Sequence, residues 1–173
     1  MKTLIFALFI LVSQQSHAQY KRFNDWQIGV TDEGIPYAST INRTGDMLMK
    51  KCDLKDMTCT WIKGVVIPCT GNDSAPALFN SPSGADMHKL YCMGSFQNES
   101  RTYYRYGIGD PDAIDSLVKS TSGILGIAVP LESGQFNVTR FSLFGAKQAL
   151  DALDELFRVM AKKTLNQTGS QRM

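Results

Sequence analysis

The chain has 173 residues, 18 of them basic and 16 acidic, and 43% are hydrophobic. That length suits a single domain with a substantial core. A charge so near balance gives no basic stripe for nucleic acid and no field to steer the chain toward an anionic surface.

The first eighteen residues carry the three-part pattern of a secretory signal peptide. Lys2 supplies a positive charge, Leu4 to Val12 form an apolar run, and Ser16-His17-Ala18 ends a short polar stretch on small residues. The run is well short of the roughly 20 residues a spanning helix needs, so cleavage after Ala18 is expected rather than anchoring. No later run is long and apolar enough for stable membrane insertion. The expected organisation is a signal peptide over 1–18, one β-rich domain over 19–163 and a disordered polar tail over 164–173, in a periplasmic or secreted protein. Asn42, Asn72, Asn98, Asn137 and Asn166 each begin an Asn-x-Ser/Thr triplet. In so lean an export signal, of bacterial type, these read as chance.

Short strands follow in chain order, divided by turn chemistry. DWQIGV (25–30) sets Trp26, Ile28 and Val30 on one parity, and TDEGIP (31–36) is a turn. YASTIN (37–42) and MLMKKC (47–52) flank a hairpin at Thr44-Gly45-Asp46. TWIKGVVI (60–67) is the next strand and CTGNDSAP (69–76) a loop. ALFN (77–80) is expected as a short edge strand between Pro76 and Pro82, and 81–87 as loop. KLYCM (89–93) and TYYRYGI (102–108) are strands around the polar turn GSFQNES. Asp110 and Pro111 open a helix with Ile114, Leu117 and Val118 on one face. ILGIAVP (124–130) and FNVTRFSL (136–143) are two more strands. From about Ser142 an amphipathic helix sets Ala146, Ala149, Leu150, Leu153, Leu156, Phe157 and Met160 on an apolar stripe, and acids precede bases along its polar face. The fold class is mainly β (α+β): an antiparallel β-sandwich or curved sheet with one short crossing helix and a C-terminal amphipathic helix.

The four cysteines decide what chemistry is open to the chain. No C-x₂-C pair is present for zinc or for thioredoxin-type redox work, and beyond the signal peptide His88 is the one histidine. A thiolate nucleophile needs a nearby base, and His88 stands four residues from Cys92, too far along a strand for contact. Disulfides are therefore expected. Cys52 and Cys59 end one strand and begin the next, and a hairpin at Lys55-Asp56 sets them opposite each other at bonding range. Cys69–Cys92 follows by remainder.

Catalytic candidates are few. A hydrolase would have to use His88 or the acids Asp110, Asp112 and Asp115, and acids at a helix start are expected for capping alone. No metal or cofactor is expected. Tyr103, Tyr104, Arg105 and Tyr106, with Tyr91, Phe96 and Arg101 nearby, form the most interaction-like group, because Tyr and Arg are enriched at binding hot spots. Strand alternation sends one pair of them to each face.

The stretch FSLFGAKQALDALDEL (141–156) runs from a strand through a Ser-Leu-x-Gly junction into an Ala/Leu helix. It resembles the closing strand and helix of the invasion-associated locus B family of exported bacterial proteins. The chain is also similar to small periplasmic accessory proteins that intracellular pathogens use beside type IV secretion systems. Either resemblance implies a non-catalytic, virulence-linked envelope protein, and neither supplies functional residues to carry over. The expected partner is another envelope protein, with self-association left open. The alternative readings are a secreted inhibitor or immunity protein presenting the 69–88 loop, and a hydrolase.

Overall fold

The computed structural model describes residues 21–71, 73–98, 101–131 and 133–169. The expected signal peptide, the Ala18 cleavage point and the last four residues lie outside them. The elements are β1 (Lys21–Phe23), β2 (Trp26–Val30), β3 (Pro36–Ile41), β4 (Met47–Asp53), β5 (Thr58–Val65), β6 (Ser74–Ser81), β7 (Gly84–Asn98), β8 (Arg101–Ile108), α1 (Pro111–Ser120), β9 (Ile124–Pro130), β10 (Phe136–Ser142) and α2 (Ala146–Gly169). All ten strands form one antiparallel sheet in the order β1-β2-β3-β4-β5-β8-β7-β6-β9-β10.

The sheet is strongly curved. Trp26 on β2 and Trp61 on β5 are three strands apart, which on a flat sheet means about 14 Å. Their rings instead meet edge to face with centroids 6.2 Å apart. One buried cluster joins Trp26 and Ile28 of β2 to Leu125 and Ile127 of β9 and Phe141 of β10. The two ends of the sheet are therefore curled toward each other around a shared interior. They meet at a seam: the Trp26 indole N–H donates to the Ser142 carbonyl at 2.8 Å, and the Asp25 amide to the Phe144 carbonyl at 3.2 Å. Gly145 closes this contact. Its φ is +91°, and a Cβ there would stand 2.0 Å from the Phe23 carbonyl oxygen, so a side chain is excluded by conformation and by space.

Both helices pack on the concave side. Asp110 caps α1 by accepting from the Ala113 amide at 3.2 Å, and Ile114 and Val118 are buried. Ala146, Ala149, Leu150 and Leu153 of α2 join the same core. A chain of charges ties the layers. Lys50 of β4 reaches Asp115 of α1 at 2.5 Å and Asp154 of α2 at 3.3 Å; Lys119 of α1 reaches Asp154 at 2.6 Å and Asp151 at 3.5 Å. The Lys147 hydrogen bond holds the Asp151 carboxyl below its ordinary range.

Five sequence expectations change, the first being the loop expected over 69–76 and, for an inhibitor, over 69–88: β6 begins at Ser74 and β7 at Gly84, so most of that stretch is strand. ALFN is not an edge: β6 pairs with β7 on one side and with β9 on the other. Pro76 is tolerated because β9 pairs only across Leu78 to Asn80, so its missing N–H removes no bond on that side. The 81–87 loop shrinks to a tight hairpin with Gly84 at φ +136°. The polar turn after Met93 is strand to Asn98, with the register shifted between Cys92 and Ser95 by a bulge. At the C-terminus α2 begins at Ala146 rather than near Ser142 and continues through Gly169, six residues into the stretch expected to be disordered. Extending a formed helix costs far less than starting one. The three-residue β1 is too short to show alternation.

Candidate functional site

Cys52 faces Cys59 in the β4–β5 register, and the two are bonded with Cα atoms 4.0 Å apart. Cys69 is bonded to Cys92, at 5.8 Å, tying the loop before β6 to the middle of β7. No free cysteine remains among the described residues. The hydrolase candidates are dispersed. His88 is buried against the Phe79 ring, with centroids 4.9 Å apart, and its Nε2 lies 3.6 Å from Asp86 without a hydrogen bond. Asp110 is spent on its cap, Asp112 is exposed in the first turn of α1, and Asp115 accepts from the Trp61 indole at 2.7 Å while holding Lys50. His88 sits on β7 and the three acids at the start of α1, and among the described residues no hydrogen bond joins the histidine to an acid.

The tyrosine–arginine stretch of β8 divides by alternation. Tyr106 pairs across from Lys63, so Tyr104 and Tyr106 turn to the concave side. The Tyr106 hydroxyl donates to the carbonyls of Ile67 and Pro68 at 3.2 and 3.1 Å. Burial raises its pKa, and so do Asp73 and Tyr104. Lys63 lies under it, 1% exposed, with Nζ 6.0 Å from the Tyr106 ring centre. Burial lowers the Lys63 pKa to about 8 against a smaller upward pull from Asp46. Tyr103 and Arg105 turn to the convex side. There Tyr103 stacks on Phe96 with centroids 5.5 Å apart, and the Arg105 guanidinium lies 6.0 Å from the Phe96 ring and donates to the Met93 carbonyl at 3.3 Å. Exposed Tyr91 and Met93 extend this patch along β7. The four residues thus serve two faces, and only Tyr103 and Arg105 can meet a partner on the convex one.

A polar cleft of about 730 Å³ opens at the sheet seam. Arg22 and Asp25 from the β1–β2 end, Arg43 from the β3–β4 turn and Arg140 from β10 line its walls, and Thr40 and Thr139 lie at its floor. Sequence reading missed it. Its arginines come from segments 21 and 97 residues apart, each an ordinary exposed residue in its own strand or turn.

The chain matches no known family model and no curated protein. Among solved structures it is similar to the crystal structure of invasion associated protein B from Bartonella henselae, with a TM-score of 0.58. The match covers 82% of this chain and 99% of that one at 11% identity. The two share a fold. The resemblance expected from residues 141–156 therefore holds at the level of architecture, without a sequence family. Among the described residues no helix is long and apolar enough to cross a membrane.

Proposed function

We propose that this is an exported accessory protein of a bacterial envelope, linked to virulence or to a secretion system, that acts by contact with another envelope protein. The observation that carries the reading is the convex patch of Tyr91, Met93, Phe96, Tyr103 and Arg105. Aromatic residues, Met and Arg are the types enriched where protein interfaces are buried, and both helices pack on the opposite side of the sheet. Two disulfides fit an oxidising compartment. The shared fold with a protein named for its association with invasion motivates the virulence link. Chemical crosslinking of the envelope fraction of producing cells, followed by mass spectrometry, tests the reading. A discrete heteromeric adduct is expected, and an exclusively monomeric protein would overturn it.

A further inference from the structure

We propose that the cleft at the sheet seam binds a small anion carrying two or more acidic groups, carboxylate or phosphate. Arg22, Arg43 and Arg140 surround one concavity of about 730 Å³, within the size range of small-molecule sites. Asp25 is the one carboxylate in its lining, and it accepts from the Ser142 hydroxyl at 2.6 Å. Three guanidiniums against one carboxylate leave an excess of two positive charges. Among the described residues none of the three forms an ion pair or a side-chain hydrogen bond, whereas Lys50, Lys119, Lys147 and Arg158 are all paired with acids. Unneutralised like charges around a cleft raise the local concentration of anions, and planar guanidinium forks match carboxylate and phosphate oxygens.

The site is also held in shape. The Asn42 side-chain carbonyl accepts from the amides of Thr44 and Asp46, at 3.0 and 2.8 Å, which fixes the turn that carries Arg43. Thr40, 3% exposed, offers a hydroxyl at the floor that makes no hydrogen bond to a described residue. The seam contacts of Trp26 and Asp25 with Ser142 and Phe144 pinch the cleft at one end. A compact ligand fits such a wedge better than a long polymer. None of the patch residues lines the cleft, although Tyr103 approaches the β3–β4 turn at Gly45. Arg22 and Arg140 stand on β1 and β10, outside the patch, so substitutions there let this site and the protein contact fail separately.

Calorimetric titration of the intact chain with citrate and with pyrophosphate, against acetate at matched ionic strength, tests the proposal. Saturable binding of citrate or pyrophosphate is expected, with acetate silent. Arg22→Gln, Arg43→Gln and Arg140→Gln should each weaken it about tenfold or more, while Arg158→Gln, on α2 and outside the cleft, should not. The proposal is overturned if neither polyanion saturates, if acetate acts equally, or if the Arg158 control falls with the others. An oligoglutamate peptide that binds where both small anions fail would overturn it as well.

Discussion

The indole N–H of Trp61 donates to the Asp115 carboxylate at 2.7 Å, and the same carboxylate holds the Lys50 ammonium at 2.5 Å. One acid on α1 thus satisfies two buried donors, one on β5 and one on β4, and locks the helix onto the concave face. Asp115→Ala should leave the Trp61 indole without a partner and Lys50 with only Asp154 at 3.3 Å, and cost about 2–4 kcal/mol. Lys50→Met, which removes the charge and keeps much of the volume, should cost less. Urea unfolding of the two variants checks this ordering, and a larger loss for Lys50→Met would contradict it.

Lys63 makes stability depend on pH. Its folded-state pKa is about 8, against 10.5 for an ordinary lysine. Below about 8 both folded and unfolded chains carry the proton, and folding bears the full burden of burying the charge. Between about 8 and 10.5 the unfolded chain binds more protons, so this residue's contribution makes stability rise with pH. Lys63→Met should stabilise the protein at neutral pH, by up to about 3 kcal/mol, and flatten that rise. Denaturant midpoints at pH 7 and pH 9.5 for both proteins provide the measurement.

Gly145 holds a left-handed φ of +91° with the Phe23 carbonyl where a Cβ would go. Gly145→Ala should destabilise by about 2–4 kcal/mol, because backbone strain and a clash with another backbone segment act together. Gly34 has a similar φ of +81° and open space around it. Its alanine variant should lose only about 1 kcal/mol. Thermal unfolding of the pair separates the steric part from the conformational part.

The disulfides close chain segments of unequal length, with sequence separations of 7 and 23. In the chain-entropy model the longer closure stabilises more, by about 1 kcal/mol, with each bond worth roughly 2–4 kcal/mol. Replacing Cys69 and Cys92 by Ser should lower the unfolding midpoint more than replacing Cys52 and Cys59. Equal losses would show that native packing around the bonds outweighs the constraint on the unfolded chain.

The readable parts of the sequence were those where one residue's neighbours fix its environment. Alternation in 25–67 located β2 to β5, and the hairpin between Cys52 and Cys59 follows from that register. The helical stripe from Ala146 marked the core face of α2. The hidden parts depended on distant partners. Leu48, Lys50 and Cys52 share one buried parity, and nothing local says that Lys50 belongs inside, because its partners Asp115 and Asp154 stand 65 and 104 residues away. Pro76 and Pro82 made β6 read as an edge, since a local pattern does not show that β9 pairs only beyond the proline. Arg22, Arg43 and Arg140 meet only because the sheet curls until its ends touch.

We propose that the convex β7–β8 patch contacts another envelope protein. It is tested most directly by placing a photo-crosslinking amino acid in turn at Tyr103, at exposed Val159 on α2 and at Arg140 in the cleft, in cells that export the protein. A discrete heteromeric adduct is expected from position 103 and none from 159 or 140. An adduct confined to either of the other positions, or none at all, would contradict it.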